Sequence, residues 1–160
     1  MKSLIICTSK SHGNTRLVAD RMAEVLDAEV VAPEAVDPAT LGQYDLIGFG
    51  SGIYYMSVDP RLLNLIRHIP TVDHVRAFTY YTSGARGVPL LGYGKPIRKR
   101  LKAKGFDVIG AFSCRGFDTV GPFGFIGGIN RARPDDNDLE RAAAFATRMR
   151  KQVEAARSAS

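Results

Sequence analysis

Residues 3–20 read SLIICTSKSHGNTRLVAD. An apolar run, Ser3–Thr8, empties into a polar turn of small hydroxyl residues around one Gly, and an apolar-periodic segment opens directly behind it. The run predicts a strand covered on both faces. Thr15–Asp27 carries Val18, Met22, Val25 and Leu26 at helical spacing and predicts a helix. The turn between them holds the chemistry. Ser9, Ser11 and Thr15 offer hydroxyl donors, and Gly13 lets backbone approach a ligand closely. The first N–H groups of a helix and its positive dipole end point at whatever sits in such a turn, so an anion is expected there, and phosphate is the natural guest. The plainer alternative is that Asn14 and Thr15 only cap the helix.

The same alternation continues along the chain. Glu29–Ala32 predicts a second strand and Leu46–Gly50 a third. Asp59-Pro60 marks a helix start, Asp as N-cap and Pro in the first turn, with Leu62, Leu63, Ile66 and Ile69 as its buried stripe. Val75–Thr82 is a fourth strand, Leu91–Lys104 a helix with Ile97 and Leu101 inward, and Val108–Ser113 a fifth strand. Asp138–Val153 is the last helix, lined by Leu139, Ala142, Ala146, Met149 and Val153, with Asn137 and Glu140 as its expected capping box. Strand then helix, repeated, means parallel strands joined by right-handed crossovers. The expected fold is α/β, a doubly wound three-layer sandwich around a five-stranded parallel sheet of order 2-1-3-4-5. The connection Pro33–Gln43 is barely long enough for a crossover, and its helix is expected to shrink to a turn around Pro38–Leu41. A single domain is expected over residues 1–157. The small, polar tail from Ala155 is expected to fray, with 158–160 outside the domain.

Composition agrees with a soluble globular chain: 160 residues, 45% hydrophobic and 24% charged. Cys7 and Cys114 form no CxxC pair, which argues against a zinc site or a disulfide framework and towards a reducing, cytoplasmic setting. The apolar run Leu4–Cys7 is too short for a signal-peptide core, and no stretch reaches the length of a membrane span. The net charge of +6 favours anionic partners without choosing among them.

In an open parallel sheet, ligands bind beyond the carboxyl ends of the strands. Those ends are Thr8–Thr15, Ser51–Val58, Thr82–Gly94 and Arg115–Asn137, and none offers paired carboxylates or a Ser-His-Asp set. No Gly-Lys-Ser or Gly-Lys-Thr follows the first strand, so a P-loop is excluded. Gly48-Phe49-Gly50-Ser51-Gly52 lacks the GxGxxG spacing. A phosphorylation receiver shares this strand order but needs acids where Thr8-Ser9 and Gly50-Ser51 stand.

The first loop, SKSHGNT at Ser9–Thr15, resembles the flavodoxin phosphate loop ending in T-G-N-T, and GSGIYYMS at Gly50–Ser57 and YTSGARG at Tyr81–Gly87 fit the family's other two loops. The resemblance runs from Lys2 to the last helix. It implies non-covalent binding of flavin mononucleotide (FMN). Ser9, Lys10, Ser11, His12, Gly13, Asn14 and Thr15 would surround the phosphate. Ser51, Gly52, Ile53, Tyr54 and Tyr55, with Thr82, Ser83, Gly84 and Ala85, would enclose the ring, one of the two tyrosines stacking on it. His12 stands where a Thr is common; it either donates to phosphate or is an exposed bystander. Gly116–Asn137 is long and non-periodic, with five Gly and three Phe, and Phe117 in it is expected near the flavin.

The resemblance further implies a low-potential electron carrier between redox proteins. The alternative is an FMN-dependent NAD(P)H oxidoreductase with a quinone-type acceptor. The commonest flavodoxins are acidic, whereas Lys95, Arg98, Lys99, Arg100, Lys102 and Lys104 here lie close together with no acid among them. That stretch is either a solvated helix face or the dock for an acidic ferredoxin-like or reductase partner. No aromatic interleaving argues for nucleic acid, and neither nucleic acid nor membrane is an expected partner.

Overall fold

A computed structural model describes residues 1–9, 13–54, 57–83, 90–115 and 133–159, of which residues 54 and 90–93 by their backbone. Strand β1 (Ser3–Thr8) leads through the polar turn to α1 (Asn14–Leu26), which ends on Asp27 in a left-handed conformation and returns into β2 (Glu29–Val31). Two short 3₁₀ helices, Pro33–Ala35 and Pro38–Gln43, replace the first crossover helix, because Pro38 keeps Asp37 before it in extended backbone and so separates the two. Then come β3 (Leu46–Tyr54), the two-residue β4 (Ser57–Val58), α2 (Pro60–His68), β5 (Arg76–Ser83), α3 (Leu90–Ala103), β6 (Asp107–Arg115) and α4 (Asp136–Ser158).

The sheet order is β2-β1-β3-β5-β6, all parallel, with β4 added antiparallel to the end of β3. This is the expected doubly wound order with one small strand inserted. β3 outruns its expected end at Gly50, because residues up to Gly52 pair with β5 and Ile53 and Tyr54 fold back on Val58 and Ser57. Side chains alternate across each strand and so fill both faces. Leu4, Ile6, Phe49, Ala77 and Tyr81 pack with Leu62, Ile66, Ile97 and Leu101 of α2 and α3. Ile5, Cys7, Phe78, Tyr80 and Phe112 pack with Val18, Met22, Ala142 and Phe145 of α1 and α4.

Two expectations at the last helix are corrected. The capping box is Asp135 with Asp138, not Asn137 with Glu140: Asp135 accepts the Asp138 N–H at 2.9 Å and Asp138 accepts the Asp135 N–H at 3.3 Å. Asn and Asp cap about equally well, so the cap residue alone does not choose the register. Arg133 does, because its guanidinium donates to the buried Asp138 carboxylate at 2.7 Å and holds it at the helix entrance. The tail from Ala155 does not fray at once: helix persists to Ser158, Arg157 donates to Asp45 at 3.1 Å, and alanines support the last turns.

Candidate functional site

The carboxyl ends of β1, β3 and β5 lie level. Thr8 pairs with Ser51, Ser51 with Tyr81, and Gly52 with Thr82 in the next row. The three loops read as ligand-binding therefore leave the sheet side by side, on adjacent strands about 4.8 Å apart.

This level edge needs two strands to approach past an aromatic side chain. A Cβ at Gly50 would lie 1.8 Å from Cζ of Tyr80, and one at Gly48 would lie 2.5 Å from the Phe78 ring. The glycines of β3 thus make room for the rings of β5 lying across them. Tyr80 is buried, and its hydroxyl donates to the Ile6 carbonyl at 3.4 Å. The signal was present in the sequence, as Gly48-x-Gly50 facing Phe78-x-Tyr80, but it becomes visible only once the two strands are paired.

Buried hydroxyls tie the strand ends and helix starts together. Thr8 Oγ1 donates to the Gly50 carbonyl at 3.3 Å. Ser51 Oγ donates to the Gly52 carbonyl at 2.6 Å and accepts the Asp59 N–H at 3.1 Å. Thr15 and Thr82 share a hydrogen bond of 2.7 Å between their hydroxyls, joining the first turn of α1 to the end of β5. The side chains of Ser51, Thr15 and Thr82 thus have partners within the fold. Asp59 caps α2, accepting the Arg61 N–H at 2.9 Å, and is neutralised by the Arg61 guanidinium at 2.9 Å.

The start of α1 differs. Gly13, at φ 67°, is its N-cap, and as a glycine it supplies no capping side chain. The left-handed φ suits Gly and strains other residues. No acid stands in the first turn of α1. Beside it, Ser9 Oγ is buried without a hydrogen-bond partner. Such an orphan costs about 1–3 kcal/mol unless something accepts from it or donates to it. An anion seated over the helix end answers both deficits.

Behind the edge, burial pushes the Cys7 thiol up and the Tyr80 phenol well up, and it pushes Tyr81 and Cys114 each to about 12, so all four are neutral near pH 7. Beyond the end of β6 a cavity of about 450 Å³ is lined by Ser113, Cys114, Arg115, Arg133, Asn137, Asp138 and Arg141. Among the described residues, no group of three His, Cys, Asp or Glu is placed to hold a metal, and no helix is long and apolar enough to cross a membrane.

Of the expected site residues, Ser9, Gly13, Asn14, Thr15, Ser51, Gly52, Ile53, Thr82 and Ser83 are described and gather at this one edge. Tyr54 reaches it by its backbone in β3. Lys10, Ser11, His12, Tyr55, Gly84, Ala85 and Phe117 lie outside the described residues, as does most of the Arg115–Asn137 connection.

Comparison with known proteins follows the same outline. A family model described as a flavodoxin domain matches residues 5–105. A protein of Methanocaldococcus jannaschii, itself uncharacterized, is 35% identical over 146 residues, covering 91% of this chain and 96% of its own. Among solved structures, oxidised flavodoxin 1 from Bacillus cereus superposes with a TM-score of 0.71 at 21% identity, over 94% of this chain and 98% of that one. A flavoprotein in complex with FMN from Lactobacillus acidophilus gives 0.56 at 20% identity, over 70% of this chain and 92% of that one. A WrbA-like flavodoxin from Agrobacterium tumefaciens gives 0.67 at 15%, over 96% and 98%. At these identities the structural likenesses are likenesses of fold.

Proposed function

The chain belongs to the flavodoxin family, and we propose that it binds FMN at the level edge of β1, β3 and β5 and carries electrons between redox proteins. The observation that carries this reading is the buried, unpartnered Ser9 Oγ beside the start of α1, whose N-cap residue is a glycine. A phosphate monoester accepts from that hydroxyl, from the N–H groups of the first helical turn, and from donors of the loop 9–15. The backbone of Gly52 and Ile53, and of Thr82 and Ser83, would border the ring. Tyr54, Tyr55, Gly84, Ala85 and Phe117 would complete its enclosure.

Bound FMN would supply the electron chemistry. The work of the chain would be to hold the phosphate and to keep water from the inner edge of the ring. It would also fix the loops, through the Thr15–Thr82 and Ser51–Asp59 hydrogen bonds, so that binding reorganises little. The neutral thiols and phenols behind the edge would add no charge there near pH 7. A cytoplasmic setting accords with Cys7 and Cys114, both buried free thiols.

The test is direct. Purified protein mixed with FMN and freed of excess by gel filtration is expected to retain a yellow, one-to-one flavin spectrum. A colourless product refutes the reading. The cavity beyond β6 favours one alternative, an NAD(P)H oxidoreductase that takes a nucleotide beside the flavin: Arg115 stands in its wall as a cation, next to Arg133 and Arg141, which are already paired with Asp138. Anaerobic NAD(P)H discriminates: a pure carrier keeps its flavin oxidised, whereas rapid bleaching by NAD(P)H alone selects the enzyme.

A further inference from the structure

Among the described residues, cations without a carboxylate partner gather most densely on one face. On α1 and α4, Arg16, Arg21, Arg141, Arg150 and Arg157 each reach a carboxylate, Arg148 lies over the Phe145 ring, and Lys151 alone has neither. On the opposite side of the sheet, none of Arg67, Lys95, Arg98, Lys99, Arg100, Lys102 and Lys104 has a carboxylate partner among the described residues. A groove of about 790 Å³ runs between α2 and α3 on this face. Pro60, Leu63 and Ala103 give it apolar walls, and Arg67, Arg100 and Lys104 stand along it as cations. Lys104 Nζ donates to the Arg67 carbonyl at 2.9 Å and joins the two walls. Its one carboxylate-paired lining cation, Arg61, is held by Asp59 and Glu34. Among the described residues, the lining contains no acid and no aromatic side chain.

We propose that this groove docks an acidic, amphipathic helical segment of a partner protein. The apolar walls ask for an apolar stripe, and the unpaired cations ask for carboxylates flanking it. Bases would need aromatic stacking, and the described lining residues offer none. The α2 wall is nine residues long, about 13 Å, so it accommodates two to three turns with anchors at i, i+3, i+4 and i+7. The groove begins at Pro60, next to Asp59, whose N–H is bound by Ser51 at the candidate cofactor edge. A segment seated there would bring its protein against the loops that the carrier reading uses. The proposal thus deepens that reading by naming the class of partner, while the docking itself needs no flavin.

The probe is a fluorescein-labelled peptide of about fourteen residues, Leu at i, i+3, i+4 and i+7 and Glu elsewhere, titrated with the full chain and followed by anisotropy at low salt. Binding is expected. Arg67→Glu/Arg100→Glu is expected to weaken it roughly thirtyfold, and Ala103→Glu, which places charge and bulk on the wall, at least about tenfold. All three positions are exposed, and an unchanged melting temperature checks that the variants fold. No binding, or binding unchanged in both variants, overturns the proposal. So does equal binding of oligo-glutamate or of a single-stranded DNA of the same length, which would make the face a plain polyanion surface. Anisotropy is read without flavin, so failure here leaves the FMN reading standing, and a colourless protein leaves this titration interpretable.

Discussion

Replacing Ser9 by Ala is expected to move stability and cofactor affinity in opposite directions. Ser9 Oγ is buried and unpartnered, so the ligand-free fold carries its desolvation cost, about 1–3 kcal/mol. Removing the hydroxyl relieves much of that cost and leaves a cavity no larger than one oxygen. For a chain of 160 residues, each 1 kcal/mol raises the melting temperature by about 2–4 °C. With FMN the balance reverses. A hydrogen bond to a charged phosphate contributes about 1.5–3 kcal/mol, so its loss weakens binding roughly ten- to hundredfold. Urea unfolding of the apoprotein gives the first quantity, and quenching of FMN fluorescence on titration gives the second. Ser3 supplies an internal control. Its hydroxyl is likewise buried and unpartnered, but it lies at the other end of β1, about 20 Å away along the strand. Ser3→Ala is expected to stabilise the fold without touching FMN affinity. A Ser9→Ala apoprotein less stable than the parent, or an unchanged FMN affinity, would refute the reasoning.

Three further outcomes follow from the packing behind the site. Gly50→Ala drives a methyl into the Tyr80 ring and is expected to cost about 3 kcal/mol in urea unfolding, much less in a Tyr80→Val background; parent-like stability would mean that the ring does not cover Gly50. Thr15→Val and Thr82→Val each strand the other hydroxyl at about 1–3 kcal/mol, whereas the double variant is expected to cost clearly less than the sum; additive effects would deny the shared bond. Burial raises Tyr81 and Cys114 to about 12, above ordinary values of 10.0 and 9.0, so above pH 9 the unfolded chain releases protons that the fold retains. Their contribution is complete below pH 9 and declines as pH rises towards 12. The denaturation midpoint is expected to fall over that window, and to fall less in Tyr81→Phe/Cys114→Ala; an identical slope would assign the loss to other groups.

Much of this architecture is legible without coordinates, because burial on both faces writes itself into composition. Ile5 and Ile6 point to opposite sides of the sheet and both are fully buried, so β1 reads as an unbroken apolar run. α2 announces its start because Asp59 and Pro60 act through their own backbone neighbours. What could not be read depends on contacts distant in sequence. The end of β3 is set by its partners, Thr82 on one side and Val58 on the other, and nothing within Ser51–Tyr54 marks it. The entrance of α4 is set by Arg133, which favours one of two equally plausible caps.

The same distinction governs the hydroxyls of the site. Ser9, Thr15, Ser51 and Thr82 are alike in the sequence: small donors at strand ends or a helix start, each a reasonable hand for a phosphate or a ring. Tertiary pairing separates them. Thr15 meets a partner 67 residues away and Ser51 meets the N–H of Asp59, so these two hold the loops in register, and their hydroxyls are already satisfied when a ligand arrives. Ser9 alone among the four is buried with nothing to bond. A local pattern specifies that donors are present, but whether a donor serves the scaffold or the ligand depends on what the fold brings opposite it. The two roles also predict different damage. Loss of a scaffold hydroxyl lowers stability whether or not cofactor is present. Loss of the orphan is felt as a penalty only when the phosphate is there to be bound.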